Sequence, residues 1–335
     1  MTAPPFLDFP TRANPKSDFL GVNPWQSVLL ALLISSSLAL AQDSKETEMR
    51  EWTSKVGTNI TAQFVKISDG KVILKKEDGT TVGAPLPALS ESDQQLARKL
   101  DKARTSVSSK KLGPGEIVGM PDTPITSPND PTKPVPGGVR WFGRDHQKRM
   151  DLTKAGGFEL VMLGDSVTDG WWRQGDLWNK YFGKYKPANF GIGGDRTENV
   201  LWRLDAGELV GTKPKVVVVM LGTNNAGFNT PGEIAVGIGT VLKKLRTILP
   251  ETKIVLLGIF PRRDAENRAK TEAANKLFEK MHDGNYVYYH DINSAFTDKD
   301  GKIKDGLLAD DVHLTGAGYA AWGEAMTPIL KKLMP

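Results

Sequence analysis

A doubly wound α/β domain preceded by a small antiparallel β unit is the architecture this chain predicts, and three observations carry it. FELVMLG, KVVVVML and KIVLLGIF are continuous apolar runs of strand length, as parallel strands buried on both faces require. Between the last two lies a helix with Thr230-Pro231 as cap and first turn. Its Ile234, Ile238, Val241, Leu242, Leu245 and Ile248 form one apolar stripe. Upstream, short β-rich runs are separated by Asp-Gly pairs, which signal hairpins.

The 335 residues leave room for one domain of about 200 residues and a smaller one. With 39% hydrophobic and 25% charged residues the composition is that of an ordinary globular protein. The net charge of +5 comes from 44 basic and 39 acidic residues with no long run of one sign. A nucleic-acid surface needs clustered Lys and Arg, so none is expected. The absence of cysteine excludes a disulfide scaffold, a thiolate metal site and a cysteine nucleophile. Covalent chemistry therefore falls to serine.

In chain order, residues 1–41 read as a leader. The apolar run Val28 to Ala41 is too short for a bilayer of about 30 Å but suits a signal h-region, and Ala39-Leu40-Ala41 gives the small-x-small cleavage pattern. Cleavage before Gln42 and export to the periplasm or the exterior are predicted, with no membrane span left afterwards. The stretch before Val28 is long for a signal, and Arg12 and Lys16 are balanced by Asp8 and Asp18; an uncleaved anchor or a misplaced start codon is the alternative.

Residues 46–104 predict a compact β unit from NITAQFVKIS, KVILKKE and TTVGAPLPAL, with turns at Asp69-Gly70 and Asp78-Gly79. Ser90 caps a short closing helix, with an acidic side chain three places on. Residues 105–140 carry Pro114, Pro121, Pro124, Pro128, Pro131, Pro134 and Pro136 among small polar residues. They predict a semi-rigid linker. Residues 141–335 hold the α/β pattern.

Four strings within that last segment carry the chemistry: GDSVTDGW, NFGIGGDRT, LGTNNAG and DDVHLTGAGY. In an open α/β sheet reactive groups gather beyond the carboxyl ends of the strands. Ser166 follows FELVMLGD directly, so it belongs on the turn into a helix, where free N–H groups favour a developing anion. The glycines of NFGIGGD mark close backbone approach or positive φ, and the string lacks the third glycine of a dinucleotide loop. Asn224 ends a valine run, where a side-chain amide can donate into the site; Asn225 suits the turn itself. Of the four histidines, His290 follows YVYY and caps a strand, and His146 and His282 read as surface residues. His313 has Asp310 three residues before it, a spacing that lets one short turn hold a carboxylate against the imidazole.

This ordered set, Gly-Asp-Ser, Gly-Gly-Asp, Gly-x-Asn and Asp-x-x-His, resembles the SGNH or GDSL-type hydrolases over residues 155–335. NFGIGGDRTENVLWRL and KPKVVVVMLGTNN resemble the branch of the platelet-activating-factor acetylhydrolase catalytic subunits. The resemblance implies a three-layer, flavodoxin-like α/β/α fold with a central parallel sheet. It also implies Ser166 as nucleophile, His313 as base, Asp310 as its orienting carboxylate, and an oxyanion hole of the Ser166 and Gly194 N–H groups with the Asn224 side chain. Gly194 is preferred to Gly193 because the family's glycine directly precedes the aspartate, here Asp195. Val167 stands where the strict motif has leucine, and Asp311 receives no catalytic role. The order REWT, alternating strands, EDGTTV and PLPALS resembles the first Sla homology domain, which implies a Src-homology-3-like barrel and a protein or peptide ligand.

The expected activity is hydrolysis of short acyl esters, acetyl above all, on carbohydrates or small alcohols through an acyl-enzyme, without metal or organic cofactor. Trp171 and Trp172 are candidates to stack a sugar ring, with core packing the competing role. A lipid esterase of the acetylhydrolase type and a binding protein with a relict hydrolase domain are the alternatives. The acetylhydrolase resemblance is compatible with a homodimer.

Overall fold

The computed structural model describes residues 49–109 and 112–335, so the leader and its cleavage site lie outside the described residues. Two compact units divide at Thr105 and Ser106.

The first unit is an antiparallel meander of β1 (Arg50–Thr53), β2 (Asn59–Ser68), β3 (Lys71–Lys75) and β4 (Thr81–Pro85) in that spatial order. Asp69 and Gly70 both take positive φ, 52° and 72°, the conformation a two-residue hairpin needs to match the strand twist. Trp52, Ala62, Phe64, Val72 and Leu74 point to one face and are buried against Leu86, Leu89, Ala97 and Leu100. The last two lie on α1 (Glu91–Ser109), where the Ser90 hydroxyl accepts the Asp93 N–H at 3.2 Å as the cap signal predicts. At 19 residues this helix is longer than the short one expected. Asp93 is itself buried because it accepts from Arg50 at 2.8 Å and from the Thr53 N–H at 2.7 Å.

In the second unit five parallel strands, β5 (Leu160–Gly164), β6 (Pro187–Gly191), β7 (Val216–Met220), β8 (Lys253–Leu257) and β9 (Val287–His290), lie in the order β6-β5-β7-β8-β9. The helices are α2 (Phe142–Ala155), α3 (Ser166–Asp169), α4 (Gly175–Phe182), α5 (Thr197–Asp205), α6 (Pro231–Ile248), α7 (Ala265–Phe278) and α8 (Gly316–Leu333). Side chains alternate across a strand, and the two faces serve two cores. Val161, Leu163, Val217 and Val219 pack with α5, α6 and α7, whereas Leu160, Met162, Val216 and Val218 pack with Trp171, Phe182, Tyr319, Trp322 and Met326. The sheet is thus covered on both sides, as its unbroken apolar strands require.

The proline-rich stretch expected to be a linker is hydrogen-bonded to this unit. Glu233, buried near the start of α6, accepts the N–H groups of Thr126 and Ser127 at 2.7 and 2.8 Å, and the Ser127 hydroxyl as well. The Thr197 hydroxyl donates to the Pro131 carbonyl at 2.8 Å, and Asn199 to that of Val135 at 3.0 Å. Gly237 leaves room for this crossing, since a Cβ there would meet Pro131 at 2.9 Å. An extended chain with free backbone groups suits such a strap better than a solvated spacer, because the groups of Thr126, Ser127, Pro131 and Val135 are matched by side chains of the α/β unit.

Candidate active site

All four chemistry-bearing strings sit beyond the carboxyl ends of strands. Ser166 opens α3 directly after β5, and Asp165 caps that helix by accepting the Val167 N–H at 2.9 Å. Gly193 and Gly194 follow β6, Asn224 follows β7, and Asp310 and His313 lie in the loop between β9 and α8.

Ser166 Oγ lies 2.9 Å from His313 Nε2, and His313 Nδ1 lies 2.8 Å from Asp310 Oδ2. With Nδ1 donating to the carboxylate, Nε2 is left to accept the serine proton. Asp310 Oδ1 also accepts the N–H groups of Val312 and His313 at 2.9 and 2.8 Å. Its partial burial works to raise its pKa. The two N–H groups and the imidazole outweigh that and hold it at about 2. The imidazole and this carboxylate are about half exposed, so the reacting groups sit at an open surface.

Gly194 has φ of +87°, accessible to glycine at little cost. Neither its N–H nor that of Ser166 donates to a protein acceptor among the described residues. Asn224 Nδ2 donates to the Asp195 carbonyl at 2.8 Å, which fixes the amide while leaving its second hydrogen free. The Asn225 side chain reaches beyond its own turn to the start of α5: its Oδ1 accepts the Thr197 N–H at 3.1 Å, and its Nδ2 donates to Glu198 at 3.1 Å.

Next to Ser166 lies a set of buried charges. Arg203 bonds Asp195 Oδ2 at 2.5 Å, both oxygens of Glu208 at 2.9 and 2.7 Å, and the Phe190 carbonyl at 2.6 Å. Burial lifts Asp195 to about 6 against the pull of Arg203, and lifts Asp165 to about 7 with help from the Asp195 charge. Asp165 Oδ2 and Asp195 Oδ1 are buried with no hydrogen-bond partner among the described residues. His146 is part of this set and not a surface residue: its ring packs against Phe142 and Trp202 and its Nδ1 meets Glu208 at 2.8 Å.

Several positioning groups escaped the sequence reading. Arg263 donates to the carbonyls of Asp310 and Leu308 at 2.9 and 3.2 Å, and Arg262 bonds Asp311 at 2.6 Å. Together they pin the histidine loop to the end of β8. Two arginines in PRRD directly after a strand were the available signal. Tyr319 donates its hydroxyl to the Val167 carbonyl at 2.8 Å, tying α8 to the serine turn. Of the two tryptophans, Trp171 is 1% exposed in the core and cannot stack on a ligand, whereas Trp172 is 59% exposed. Trp172 lines a cavity of about 630 Å³ with Arg149, Asp169 and Arg173.

Residues 162–321 match the GDSL-like Lipase/Acylhydrolase family, and residues 41–105 match SLA1 homology domain 1. The platelet-activating factor acetylhydrolase IB subunit alpha2 of Rattus norvegicus is 36% identical over 203 residues, 60% of this chain and 87% of that protein. The alpha1 subunit of Bos taurus is 33% identical over 64% of this chain and 91% of its own length. A solved structure from Streptococcus pneumonia, provisionally assigned as a platelet activating factor, superposes with a TM-score of 0.50 at 23% identity, covering 56% of this chain and 92% of that one. That likeness concerns the fold.

Proposed function

The chain belongs to the GDSL-like lipase/acylhydrolase family and is an ester-hydrolysing enzyme, and from that premise we propose that Ser166, His313 and Asp310 hydrolyse short acyl esters through an acyl-enzyme. One observation carries the reading: the unbroken relay from Ser166 Oγ through His313 to Asp310, at 2.9 and 2.8 Å. Ser166 Oγ attacks the ester carbonyl as its proton passes to His313 Nε2. Asp310 stabilises the imidazolium so formed. The oxyanion is received by the N–H groups of Ser166 and Gly194 and by Asn224 Nδ2. His313 then protonates the leaving alcohol, and a water activated by the same imidazole releases the acid.

Acetyl is the acyl group we favour, because the relatives with the highest identity given above are acetylhydrolases by name. Carbohydrate is the favoured alcohol, on the exposed Trp172 ring, which lines the cavity with Asp169 and Arg173 and carries the Arg149 guanidinium over one face, 5.6 Å from its centroid. The relatives' name supports a second reading, an acetyl ester carried by a phospholipid. No helix among the described residues is long and apolar enough to cross a membrane. We further propose that the chain is exported after cleavage before Gln42, and that the N-terminal meander is a Src-homology-3-like barrel taking a protein or peptide ligand. A binding role with a relict hydrolase domain is disfavoured by the intact relay.

The test is hydrolysis of p-nitrophenyl esters from acetate to palmitate, then of an acetylated xylo-oligosaccharide against an acetyl-phospholipid, with Ser166→Ala in parallel. Activity that falls with chain length and vanishes in the variant supports the reading. Equal activity of the variant on every ester refutes it.

A further inference from the structure

Of the two backbone donors aimed at the reacting carbonyl, one is rigid by construction and the other is not. The Ser166 N–H sits between buried Asp165 and buried Val167 at the start of α3. The Gly194 N–H belongs to a peptide flanked by glycine on both sides, where the backbone torsions are softest. Within that turn the Asp195 N–H closes onto the Ile192 carbonyl at 3.2 Å, and the Asp195 carbonyl is held by Asn224. The intervening Gly193–Gly194 peptide has no bond inside the turn. Its carbonyl is held from outside: Trp141 Nε1 donates to Gly193 O at 3.1 Å.

The Gly193 carbonyl and the Gly194 N–H are two ends of one planar peptide unit, and in a trans peptide they point in opposite directions. Holding the carbonyl towards Trp141 therefore aims the N–H the other way. Gly193 itself lies against both groups, since a Cβ there would be 3.4 Å from Trp141 Nε1 and 3.8 Å from Ser166 Cβ. Val139 backs the same turn, 3.1 Å from where a Gly194 Cβ would be. A donor on the carbonyl also polarises the amide, strengthening what its N–H can give to an anion. We propose that Trp141 is a positioning residue for the oxyanion hole, holding the Gly193–Gly194 peptide so that the Gly194 N–H faces the developing oxyanion; this rests on the esterase reading of Ser166. The proline-rich strap leads into this residue: Val135, six positions before Trp141, is anchored by Asn199 and by the Glu198 carbonyl.

Trp141 is 39% exposed, so replacing it leaves the core intact. The full chain and its Trp141→Phe and Trp141→Leu variants would be compared on p-nitrophenyl acetate, with kcat normalised to active sites titrated by an organophosphate. Phenylboronic acid is the second probe, because Ser166 Oγ adds to boron and the resulting tetrahedral anion places an oxygen in the hole. Removal of one hydrogen bond worth about 0.5–1.5 kcal/mol predicts that kcat falls about 2- to 12-fold. KM should hold, and boronate affinity should weaken by the same factor in both variants. Wild-type kcat and boronate affinity in either variant, or a loss confined to KM or to the fraction of titratable sites, would overturn the proposal. Wild-type hydrolysis by Ser166→Ala would instead overturn the esterase reading, and the role of Trp141 with it.

Discussion

Replacing Asp165 by asparagine should change how the protein's stability depends on pH, by an amount that follows from the position of this side chain. Asp165 is fully buried; one oxygen accepts the Val167 N–H and the other has no partner. Burial, reinforced by the Asp195 charge, raises its carboxyl from the ordinary 3.8 to about 7. A rise of about three units, at 1.36 kcal/mol each, corresponds to about 4 kcal/mol. The folded protein binds this proton more tightly than the unfolded chain does. Below about pH 4 both states are protonated and the residue contributes nothing. Stability is then lost as the pH climbs towards 7, and the deficit is complete above it. Asparagine keeps the acceptor for Val167 and carries no charge. Its buried amide N–H costs ~1–3 kcal/mol if unpaired, but equally at every pH. The gap between variant and wild type should therefore move by about 4 kcal/mol in the variant's favour from pH 4 to pH 8, a relative Tm change of about 8–16 °C for a unit of this size. Scanning calorimetry of both proteins at pH 4, 6 and 8 measures it. A Tm difference that stays constant across the three would refute the assignment of a buried, proton-holding carboxyl at this position.

Four further outcomes are expected. Asn224→Ala should lower kcat on p-nitrophenyl acetate ~10²–10³-fold with little change in KM, as loss of one oxyanion donor does. Asp310→Asn should lower kcat by up to ~10⁴-fold by favouring the wrong imidazole tautomer, which a steady-state assay at pH 8 reads directly. Because Asp310 is held at about 2, wild-type kcat/KM should show no inflection from it between pH 4 and 9, and a rate profile over that range checks this. Glu233→Ala should expose the strap to limited proteolysis between Thr123 and Val135, because the groups that bond this carboxylate lose their acceptor together; an unchanged digestion pattern would show that the strap is held by other contacts.

The central strands and the relay were legible because their determinants are local. Val216–Met220 is five apolar residues in a row, and all five are buried on one or other face of the sheet. Asp310 and His313 are three residues apart, close enough that one turn sets both the ring bond and the backbone bonds. The strap was not legible, for a reason of the same kind. Its own residues supply mostly backbone groups and hydroxyls, and the partners that bind them, Glu233, Thr197 and Asn199, read in sequence as ordinary polar positions on helices. Arg263 and Trp141 were missed likewise, since each acts on a carbonyl 47 or 52 residues away and nothing periodic marks the pairing. His146 was misplaced because its charged neighbours in the sequence point outward, while the ring lies inward on Glu208.

The strap bears on where this hydrolase could be cut out and joined to another protein. The repeating α/β pattern begins only near Trp141, and that is where a designer or a recombination event guided by the pattern would place the joint. A piece beginning there would keep the nucleophile, the base and every strand of the sheet. It would also leave Glu233 and Glu198 as buried carboxylates stripped of the donors from Thr126, Ser127 and Asn129. The transferable module therefore starts earlier, since Leu112 is already buried and Ile117 packs against the core that α5, α6 and α7 share with the sheet.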